Sequence, residues 1–126
     1  TTGGPTTVTQ PRCEAWTMRE FFVPGSAELT EAAQDKIRAW NSQLDSRVVA
    51  LLIVGHTDAQ PWRSGTNQEL SERRAEAVAK IIRAAPDAPR REITTEGRGD
   101  TEPIEPGDGQ EAYEKNRRVE VFATCQ

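Results

Sequence analysis

The stretch at residues 47–55, RVVALLIVG, limits the possible folds of this 126-residue chain more than any other feature. Almost all of its residues are β-branched or otherwise apolar, which is typical of a strand buried on both faces and central in a sheet with parallel neighbours. Parallel strands need long crossover connections, usually helices, so the rest of the chain must supply both the neighbouring strands and the connecting helices. A chain of this length suits a single domain with one hydrophobic core.

Two stretches with apolar residues at helical spacing lie on either side of that strand. The first is expected to begin at Thr30, a good N-cap residue, with Glu31 in its first turn. The second covers residues 67–85, with Asn67 as its predicted N-cap and Pro86 at its end. The residues predicted to face inward are Leu29, Ala33, Ile37, Trp40 and Leu44 for the first helix and Leu70, Ala75, Val78, Ala79 and Ile82 for the second.

Three further stretches have the composition of strands. Residues 15–23 (AWTMREFFV) predict a first strand, and residues 92–96 predict a short one after the second helix. Residues 101–110 are rich in proline, glycine and acids and indicate a surface loop. After that loop, residues 117–124 (RRVEVFAT) alternate charged and apolar side chains, the pattern of a half-exposed strand.

This order predicts an α+β fold, a βαβαββ two-layer sandwich in which two main helices cover one face of a mixed four-stranded sheet. The last strand follows a long loop and can therefore run antiparallel to the others and pair with the first. Residues 1–12 are small, polar and interrupted by glycine and proline, so they are expected to form a flexible linker before a domain at 13–126.

The two cysteines, Cys13 and Cys125, lie near opposite ends of the chain. They are either unrelated thiols or a disulfide. Antiparallel pairing of the first and last strands would bring them within the distance that a disulfide requires. A bridge would indicate an oxidising compartment.

The composition excludes several classes of function. The net charge of −4 argues against a general nucleic-acid binder, which needs a basic face. The longest apolar run, at 48–54, is too short to cross a bilayer, so the domain itself is expected to be soluble. His56 is the only histidine, and no cysteine is near it in the sequence, so no metal site is expected and no cofactor is needed.

Charged and polar residues are expected to meet beyond the carboxyl end of the central strand, where open sheets with parallel strands bind ligands. Asp58 is the first acid after that strand. On the next helix Asn67, Ser71 and Arg74 are spaced i, i+4, i+7 and share one stripe. A carboxylate and a guanidinium on either side of an amide suit a zwitterion, whose ammonium and carboxylate they would hold.

Several motifs in this sequence resemble those of OmpA-like domains. The matching segments, in order, are GSAEL at 25–29, GHTD at 55–58, NQELSERRA at 67–75, the G-x-G at 97–99 with Pro103, and NRRVE at 116–120. Together they cover the chain from about residue 21 to its end. The chain is therefore identified as resembling the OmpA-like peptidoglycan-binding family, which includes the C-terminal domain of OmpA, Pal and MotB.

The resemblance implies non-catalytic binding to peptidoglycan in the periplasm, in a parent protein attached to the outer or inner membrane. It implies that Asp58 holds the ammonium, and Arg74 the carboxylate, of the diaminopimelate in the stem peptide. Asn67 would add a hydrogen bond, and Arg117 would line or brace the pocket. Thr57 of the GHTD motif and the loop residues Ala27 and Glu28 complete the implied ligand-binding set.

Other interpretations accompany this one. Asp58 and Arg74 could form an internal salt bridge without a ligand, although an exposed pair contributes only about 0–1 kcal/mol. His56 is more simply a packing or loop-ordering residue, and Arg118 is predicted on the strand surface opposite Arg117. Pro61 and Trp62 replace the glycine that the family often has, and Trp62 either covers the ligand or only the loop.

The alternative function is a protein-interaction module of an envelope assembly, such as a stator or a secretion apparatus, that does not bind peptidoglycan. Ser71 with His56 and Asp58 could suggest a hydrolase triad. However, Ser71 lies inside a predicted helix and the nucleophile-elbow motif is missing, so no catalytic residue is expected.

Overall fold

A computed structural model of the chain describes residues 16–19, 22, 26–44, 47–60, 62, 65–86, 91–107 and 109–125. The elements follow in the order β1 (Trp16–Arg19), α1 (Glu31–Ser42), β2 (Val48–Gly55), α2 (Asn67–Arg83), β3 (Glu92–Gly97), α3 (Gln110–Asn116) and β4 (Arg118–Cys125). The linker predicted at 1–12 and Cys13 lie outside the described residues and stay predictions. No helix in the described ranges has both the length and the apolar character needed to cross a membrane.

The four strands form one mixed sheet in the order β1-β4-β2-β3. β2 runs parallel to β3, with Leu51 opposite Ile93, and antiparallel to β4, with Ile53 opposite Val121. β4 also pairs antiparallel with β1, where Val121 faces Trp16. The predicted mixed four-stranded sheet and the pairing of its first and last strands are confirmed.

Within the described residues, the first strand, which was predicted at 15–23, covers Trp16–Arg19. β1 ends at Arg19, and Phe22 forms only an isolated antiparallel bridge with Leu29. This bridge turns the chain back on itself before α1 and defines the base of a loop at 26–28. The predicted strand positions 15, 20, 21 and 23 lie outside the described residues.

α1 and α2 pack together on one face of the sheet, as predicted, and join it in one apolar core. The buried core residues are Met18, Ala33, Ile37, Val48, Leu51, Ile53, Ala75, Val78, Ala79, Ile82, Val119 and Val121. The expectation that β2 is buried on both faces is wrong at Leu52. Leu52 is only half-buried, and its partner on β4, Phe122, is 38% exposed, because they point away from the helix layer.

The N-cap of α2 is Thr66, one residue before the predicted Asn67. The Thr66 hydroxyl accepts a hydrogen bond from the Glu69 backbone N–H at 3.1 Å, and the Glu69 carboxylate accepts one from the Thr66 N–H at 3.0 Å. This reciprocal capping box satisfies two N–H groups at once. It leaves Asn67 inside the first turn, with its side chain available for contacts elsewhere. α1 does begin as predicted, with Thr30 as its N-cap.

A third helix, α3, was not predicted. It has seven residues and follows the loop at 101–107, and the buried Asn116 at its end holds that loop in place. The Asn116 Oδ1 accepts hydrogen bonds from the backbone N–H groups of Ile104 and Glu105, and its Nδ2 donates to the Glu105 carbonyl. The stretch carries few apolar residues, so its periodicity gave no helical signal.

The end of β2 packs directly against α2 at Gly55. A Cβ atom on Gly55 would lie 2.0 Å from the Ser71 carbonyl oxygen, so only glycine fits this crossing. The same close approach brings residues 56–58, which continue from β2, alongside the first turns of α2. The site residues predicted from the two motifs therefore meet at this crossing.

Candidate ligand-binding site

The segment 56–58 leaves the sheet at the carboxyl end of β2 and is fixed by backbone hydrogen bonds. The His56 N–H donates to the Arg118 carbonyl, and the Thr57 N–H donates to the Gly99 carbonyl, both at 2.9 Å. Thr57 and Asp58 are buried, with 3% and 6% of their surface exposed. Both residues lie beyond the end of β2, where the sequence predicted the site. Backbone hydrogen bonds hold the segment 56–58 in place.

Asp58 forms its ion pair with Arg117, whose Nη1 lies 2.8 Å from Asp58 Oδ2. The other carboxylate oxygen, Oδ1, accepts a hydrogen bond from the Gln60 backbone N–H at 2.9 Å. A carboxylate can accept about four hydrogen bonds, so Asp58 retains capacity for a further donor. The structure places Arg117 directly beside Asp58, in keeping with the bracing role that the sequence suggested for it.

Arg74 is almost completely buried, with 1% of its surface exposed. Its Nε donates to the Ser26 carbonyl at 3.0 Å and its Nη1 to the His56 carbonyl at 3.2 Å, and its guanidinium lies 5.2 Å from the centre of the Phe22 ring. It forms no ion pair with Asp58 or with any other carboxylate of the described residues. The alternative of an internal Asp58–Arg74 salt bridge is therefore wrong.

The charges in this site do not cancel. Burial lowers the pKa of Arg74 to about 10; the charge of Arg117 also lowers it, while that of Asp58 raises it. The three side chains therefore interact electrostatically, with the cations Arg74 and Arg117 beside the single anion Asp58. The site has an excess positive charge in a region where Arg74 and Asp58 are shielded from water, which favours binding of an anionic group.

Asn67 and Ser71, the other two residues of the predicted stripe, have different surroundings. The Asn67 Nδ2 donates to the Asp58 carbonyl at 3.4 Å, and its Oδ1 is buried without a hydrogen-bond partner. The Ser71 hydroxyl instead donates to the Gln68 carbonyl and accepts from the Gly99 N–H. Asn67 therefore belongs to the site, whereas Ser71 fastens α2 to the turn after β3.

The 26–28 loop closes the site on the side of α1. The Ser26 carbonyl is bound by Arg74, and the Ser26 hydroxyl accepts a hydrogen bond from the Glu28 N–H at 2.8 Å. Ala27 is half-buried and Glu28 is exposed. The sequence named Ala27 and Glu28 but missed Ser26, which acts through its backbone carbonyl and so leaves no signal in residue type.

His56 and Arg118 form a buried polar cluster behind the site with Glu120. The His56 Nε2 lies 2.6 Å from Glu120 Oε1, and burial, followed by the charge of Arg118, lowers the pKa of His56. The prediction of Arg118 on the surface is wrong. It is 4% exposed and donates to the carbonyls of Glu102 and Asn116, because the loop at 101–107 folds over this end of β4. The structural role expected for His56 agrees with these contacts.

Trp62 lies against α2, where the guanidinium of Arg73 is 5.4 Å from the centre of its ring. The ring is half-buried and also approaches Gly65. It therefore packs on the loop and on the helix surface. No group of three or more histidine, cysteine, aspartate or glutamate residues in the described part of the chain could hold a metal ion.

A family model describes the relationship of this chain to known proteins. The model of the OmpA family matches residues 21–117, which include every site residue described above. The chain belongs to the OmpA family. The resemblance inferred from the GHTD, NQELSERRA and NRRVE motifs is thus confirmed.

Curated relatives of this OmpA-family domain include two envelope lipoproteins. It is 38% identical over 74 residues to the outer-membrane lipoprotein YfiB of Pseudomonas aeruginosa, covering 59% of this chain and 43% of that protein. It is 39% identical over 72 residues to the peptidoglycan-associated lipoprotein of Legionella pneumophila, covering 57% and 40%. The chain thus spans less than half the length of these curated relatives.

Solved structures share the fold. The cell wall anchor of the T6SS from Pseudomonas aeruginosa superposes with a TM-score of 0.78 at 33% identity, covering 89% of this chain and 81% of that one. The periplasmic domain of MotB from Helicobacter pylori superposes with a TM-score of 0.72 at 24% identity, covering 89% and 76%. The second comparison supports the OmpA-family architecture alone.

Proposed function

We propose that this domain binds peptidoglycan without catalysis, by holding the diaminopimelate of the stem peptide, and that it anchors an envelope protein to the cell wall. The observation that carries the proposal is Arg74, a guanidinium that is 1% exposed and has no carboxylate partner among the described residues. A buried charge without a counter-ion is costly. A carboxylate from a ligand would supply that counter-ion.

The ligand carboxylate would approach Arg74 through Nη2, the nitrogen that makes no hydrogen bond with the described residues. The geometry of a guanidinium suits a carboxylate because two N–H groups can bind its two oxygens. Arg117 lies next to Asp58 and would add a second positive charge to the same region. The ligand carboxylate would give Arg74 the counter-ion that it lacks among the described residues.

The ligand ammonium would be held by oxygen atoms on the other side of the site. Asp58 has unused acceptor capacity beyond its contacts with Arg117 and Gln60. The buried Oδ1 of Asn67 has no partner and would accept a hydrogen bond from the same ammonium. The Thr57 hydroxyl donates a hydrogen bond to the Asp58 carbonyl and so helps to fix the Asp58 backbone in place.

The relatives give the proposal its biological setting. A domain with this fold serves as a cell wall anchor in one solved structure, and one curated relative is named a peptidoglycan-associated lipoprotein. A periplasmic location suits such a domain, with the parent protein held at the outer or inner membrane. The proposed function requires neither a cofactor nor a catalytic residue, because every step is reversible binding.

Isothermal titration with meso-diaminopimelate tests the proposal directly. Asp58→Asn and Arg74→Lys should each weaken binding by roughly 10- to 150-fold, since a charge-assisted hydrogen bond contributes about 1.5–3 kcal/mol. Asp100→Asn, at an exposed position whose side chain forms no hydrogen bond or ion pair with the described residues, is the matched control and should bind like the wild type. Circular dichroism establishes that each variant is folded.

The same titration distinguishes the alternative function. A folded wild-type domain that gives no heat with diaminopimelate and does not sediment with purified cell wall would favour a protein-interaction module. Retention of wild-type affinity by both Asp58→Asn and Arg74→Lys would overturn the assignment of the site.

A further inference from the structure

β3 lies at one edge of the sheet, and its outer side is open. Among the described strands it pairs only with β2. Directly after β3, the Arg98 N–H donates to the Gly55 carbonyl of β2 at 3.0 Å. The backbone groups of successive residues in a strand point to opposite sides. The N–H and C=O groups of Ile93, Thr95 and Gly97 therefore face away from β2, along the open edge.

Side chains of α2 occupy two of the outward carbonyls but none of the outward N–H groups. The Gln68 Nε2 donates to the Gly97 carbonyl at 2.7 Å, and the Arg83 Nη2 donates to the Ile93 carbonyl at 3.4 Å. Within the described residues, no side chain accepts a hydrogen bond from the outward N–H groups of β3. The edge therefore presents a row of backbone donors with which another extended chain can pair.

A cavity of about 500 Å³, here called the β3-edge groove, lies between this edge and α2. It is lined by Gln68, Glu72 and Glu76 of α2 and by Thr95, Glu96 and Gly97 of β3. Its helix wall is about 12 Å long at roughly 1.5 Å per residue, and its strand wall is about 13 Å long at roughly 3.3 Å per residue. The two walls match in length and can flank an extended segment of about five residues.

The lining of the β3-edge groove is acidic. Among the described residues, its charged side chains are Glu72, Glu76 and Glu96. Glu76 and Glu96 pair with arginines outside the lining, at 3.0 and 2.7 Å. Glu72 has no cationic partner in the described part of the chain, and its Oε2 accepts a hydrogen bond from the neutral Gln68 amide at 2.9 Å. The groove therefore complements a partner with basic side chains.

The same charges disfavour a second copy of this chain as the occupant. Pairing of two β3 edges would bring together two sets of the groove glutamates, with Glu92 of each strand in addition. Like charges across a strand pair are destabilising, and charged side chains on edge strands commonly prevent self-association. A basic extended segment would gain the backbone hydrogen bonds of this edge without that repulsion.

The spacing of the acids defines which residues of such a segment would meet them. Glu72 and Glu76 are one helical turn apart, a separation of about 6 Å. In a strand, side chains on one face recur every two residues, or about 6.6 Å. Basic residues at alternate positions would therefore face the two glutamates in register.

We propose that the β3-edge groove binds an extended segment of a protein partner with lysine or arginine at alternate positions, and that this segment joins the sheet as a fifth strand beside β3. Strand addition of this kind takes its affinity from main-chain hydrogen bonds and its specificity from alternate side chains. None of the residues proposed to hold diaminopimelate lines the groove, so the partner and the cell wall would bind at separate surfaces.

A model peptide, acetyl-KTKTKT-amide, tests the proposal against its fully N-methylated form, which has the same charge but no backbone N–H. With the first peptide at up to about 5 mM, NMR should show amide exchange at Ile93, Thr95 and Gly97 slowed by at least about 10-fold. The methylated peptide should bind at least about 10-fold more weakly. Unchanged exchange at the three amides, or equal affinities of the two peptides, would overturn the proposal.

Two substitutions of Thr95 separate the backbone contact from the side chain. Both Thr95→Pro and Thr95→Val remove the hydroxyl that donates to Glu76, but only the proline also removes the outward N–H, and it leaves the pairing with β2 intact. Thr95→Pro should bind the peptide at least about 10-fold more weakly than Thr95→Val. Equal binding by the two variants, each shown to be folded by circular dichroism, would contradict strand addition. The methylated peptide decides the same point on the wild-type domain if the proline variant does not fold.

A matched pair of charge reversals tests the acidic wall. Glu72→Lys should weaken peptide binding by at least about 3-fold, whereas Glu111→Lys, at an exposed position on α3, makes the same change in net charge and should stay within about 2-fold of the wild type. Equal effects of the two changes would mean that overall charge attracts the peptide, and would overturn the assignment to the groove. So would sedimentation of the domain alone as a dimer with the same three amides protected, which would assign the edge to a second copy.

Discussion

Arg117 and Asp58 form a 2.8 Å ion pair between two residues that are 59 positions apart in the sequence. The pair joins the end of β2 to the start of β4 and lies beside the buried guanidinium of Arg74. The carboxylate of the GHTD motif is therefore oriented before any ligand arrives. For the proposed ligand, this prior orientation would lower the entropy that the candidate site loses on binding.

The Asp58–Arg117 pair should contribute measurably to stability. Only 8% of the Asp58 side chain and 24% of the Arg117 side chain are exposed, so the pair is less screened than a surface pair. Urea unfolding of Asp58→Asn, Arg117→Gln and the double variant should give a coupling energy of about 1–2 kcal/mol. Strictly additive losses would mean that the two side chains do not interact in solution.

Stability should fall when the pH drops below neutrality, because of His56. Burial and the charge of Arg118 lower the pKa of His56 below its usual 6.5 in the folded protein, although Glu120 and Glu102 oppose this. The unfolded chain therefore takes up the proton first, and acidification from 6.5 down to the folded pKa favours unfolding.

Urea midpoints at pH 7.5 and pH 5.5 measure this effect, and His56→Gln should make the two midpoints more alike. Hydrogen bonds from Thr95 and Arg98 also lower the pKa values of Glu76 and Glu102, respectively, but these carboxyl groups titrate below the usual glutamate value of 4.5. Wild-type stability that rises on going to pH 5.5 would contradict the prediction.

Gly55→Ala should destabilise the domain by at least about 3 kcal/mol, because the new Cβ would lie 2.0 Å from a backbone oxygen on α2 that cannot move aside. Thermal unfolding measures the loss. Gly109→Ala is the control, since a Cβ there meets nothing within 4 Å, and it should cost less than about 1 kcal/mol. Similar melting temperatures for both variants would show that the strand and helix are not in such close contact.

Cys13 and Cys125 are predicted to form a disulfide. The β1–β4 register runs from Arg19 opposite Arg118 to Trp16 opposite Val121. The same pairing continued toward the N-terminus would put position 13 opposite position 124, next to Cys125. In addition, no described cysteine is a free thiol.

Thiol titration of the denatured protein should find no reactive thiol before reduction and two after it. Reduction should lower the free energy of unfolding by about 2–5 kcal/mol, because the bridge closes a long loop. Two thiols detected without a reductant would rule the bridge out.

The architecture was predictable from the sequence where periodicity and strand composition agreed. The 47–55 run identified β2, and the alanine, leucine and isoleucine spacing of 67–85 identified α2 and its buried face. α3 was missed because a seven-residue helix with two buried residues, Ala112 and Asn116, has no apolar repeat to detect. The cap at Thr66 was missed because Asn is the better N-cap by residue type, and only the hydrogen bonds between Thr66 and Glu69 identify Thr66 as the cap.

The candidate site was predictable as a set of residues but not as a set of contacts. Motif order placed Asp58, Asn67, Arg74 and Arg117 together, and the fold does bring them to one end of β2. Asp58 pairs with Arg117 because β4 lies beside β2 in the sheet. No local sequence pattern reports that placement. Arg118 is a second example. Strand alternation predicts that its side chain is exposed, and no local sequence pattern reports that the distant loop at 101–107 covers it.

The position of β4 has a consequence for how the domain forms. As the last element in sequence, β4 lies between β1 and β2, so β1 has no strand to pair with until β4 arrives. A chain still emerging from the ribosome or from an export channel cannot complete its sheet before residue 125 is released. Arg117 arrives at the same stage, so the candidate site and the sheet become complete together.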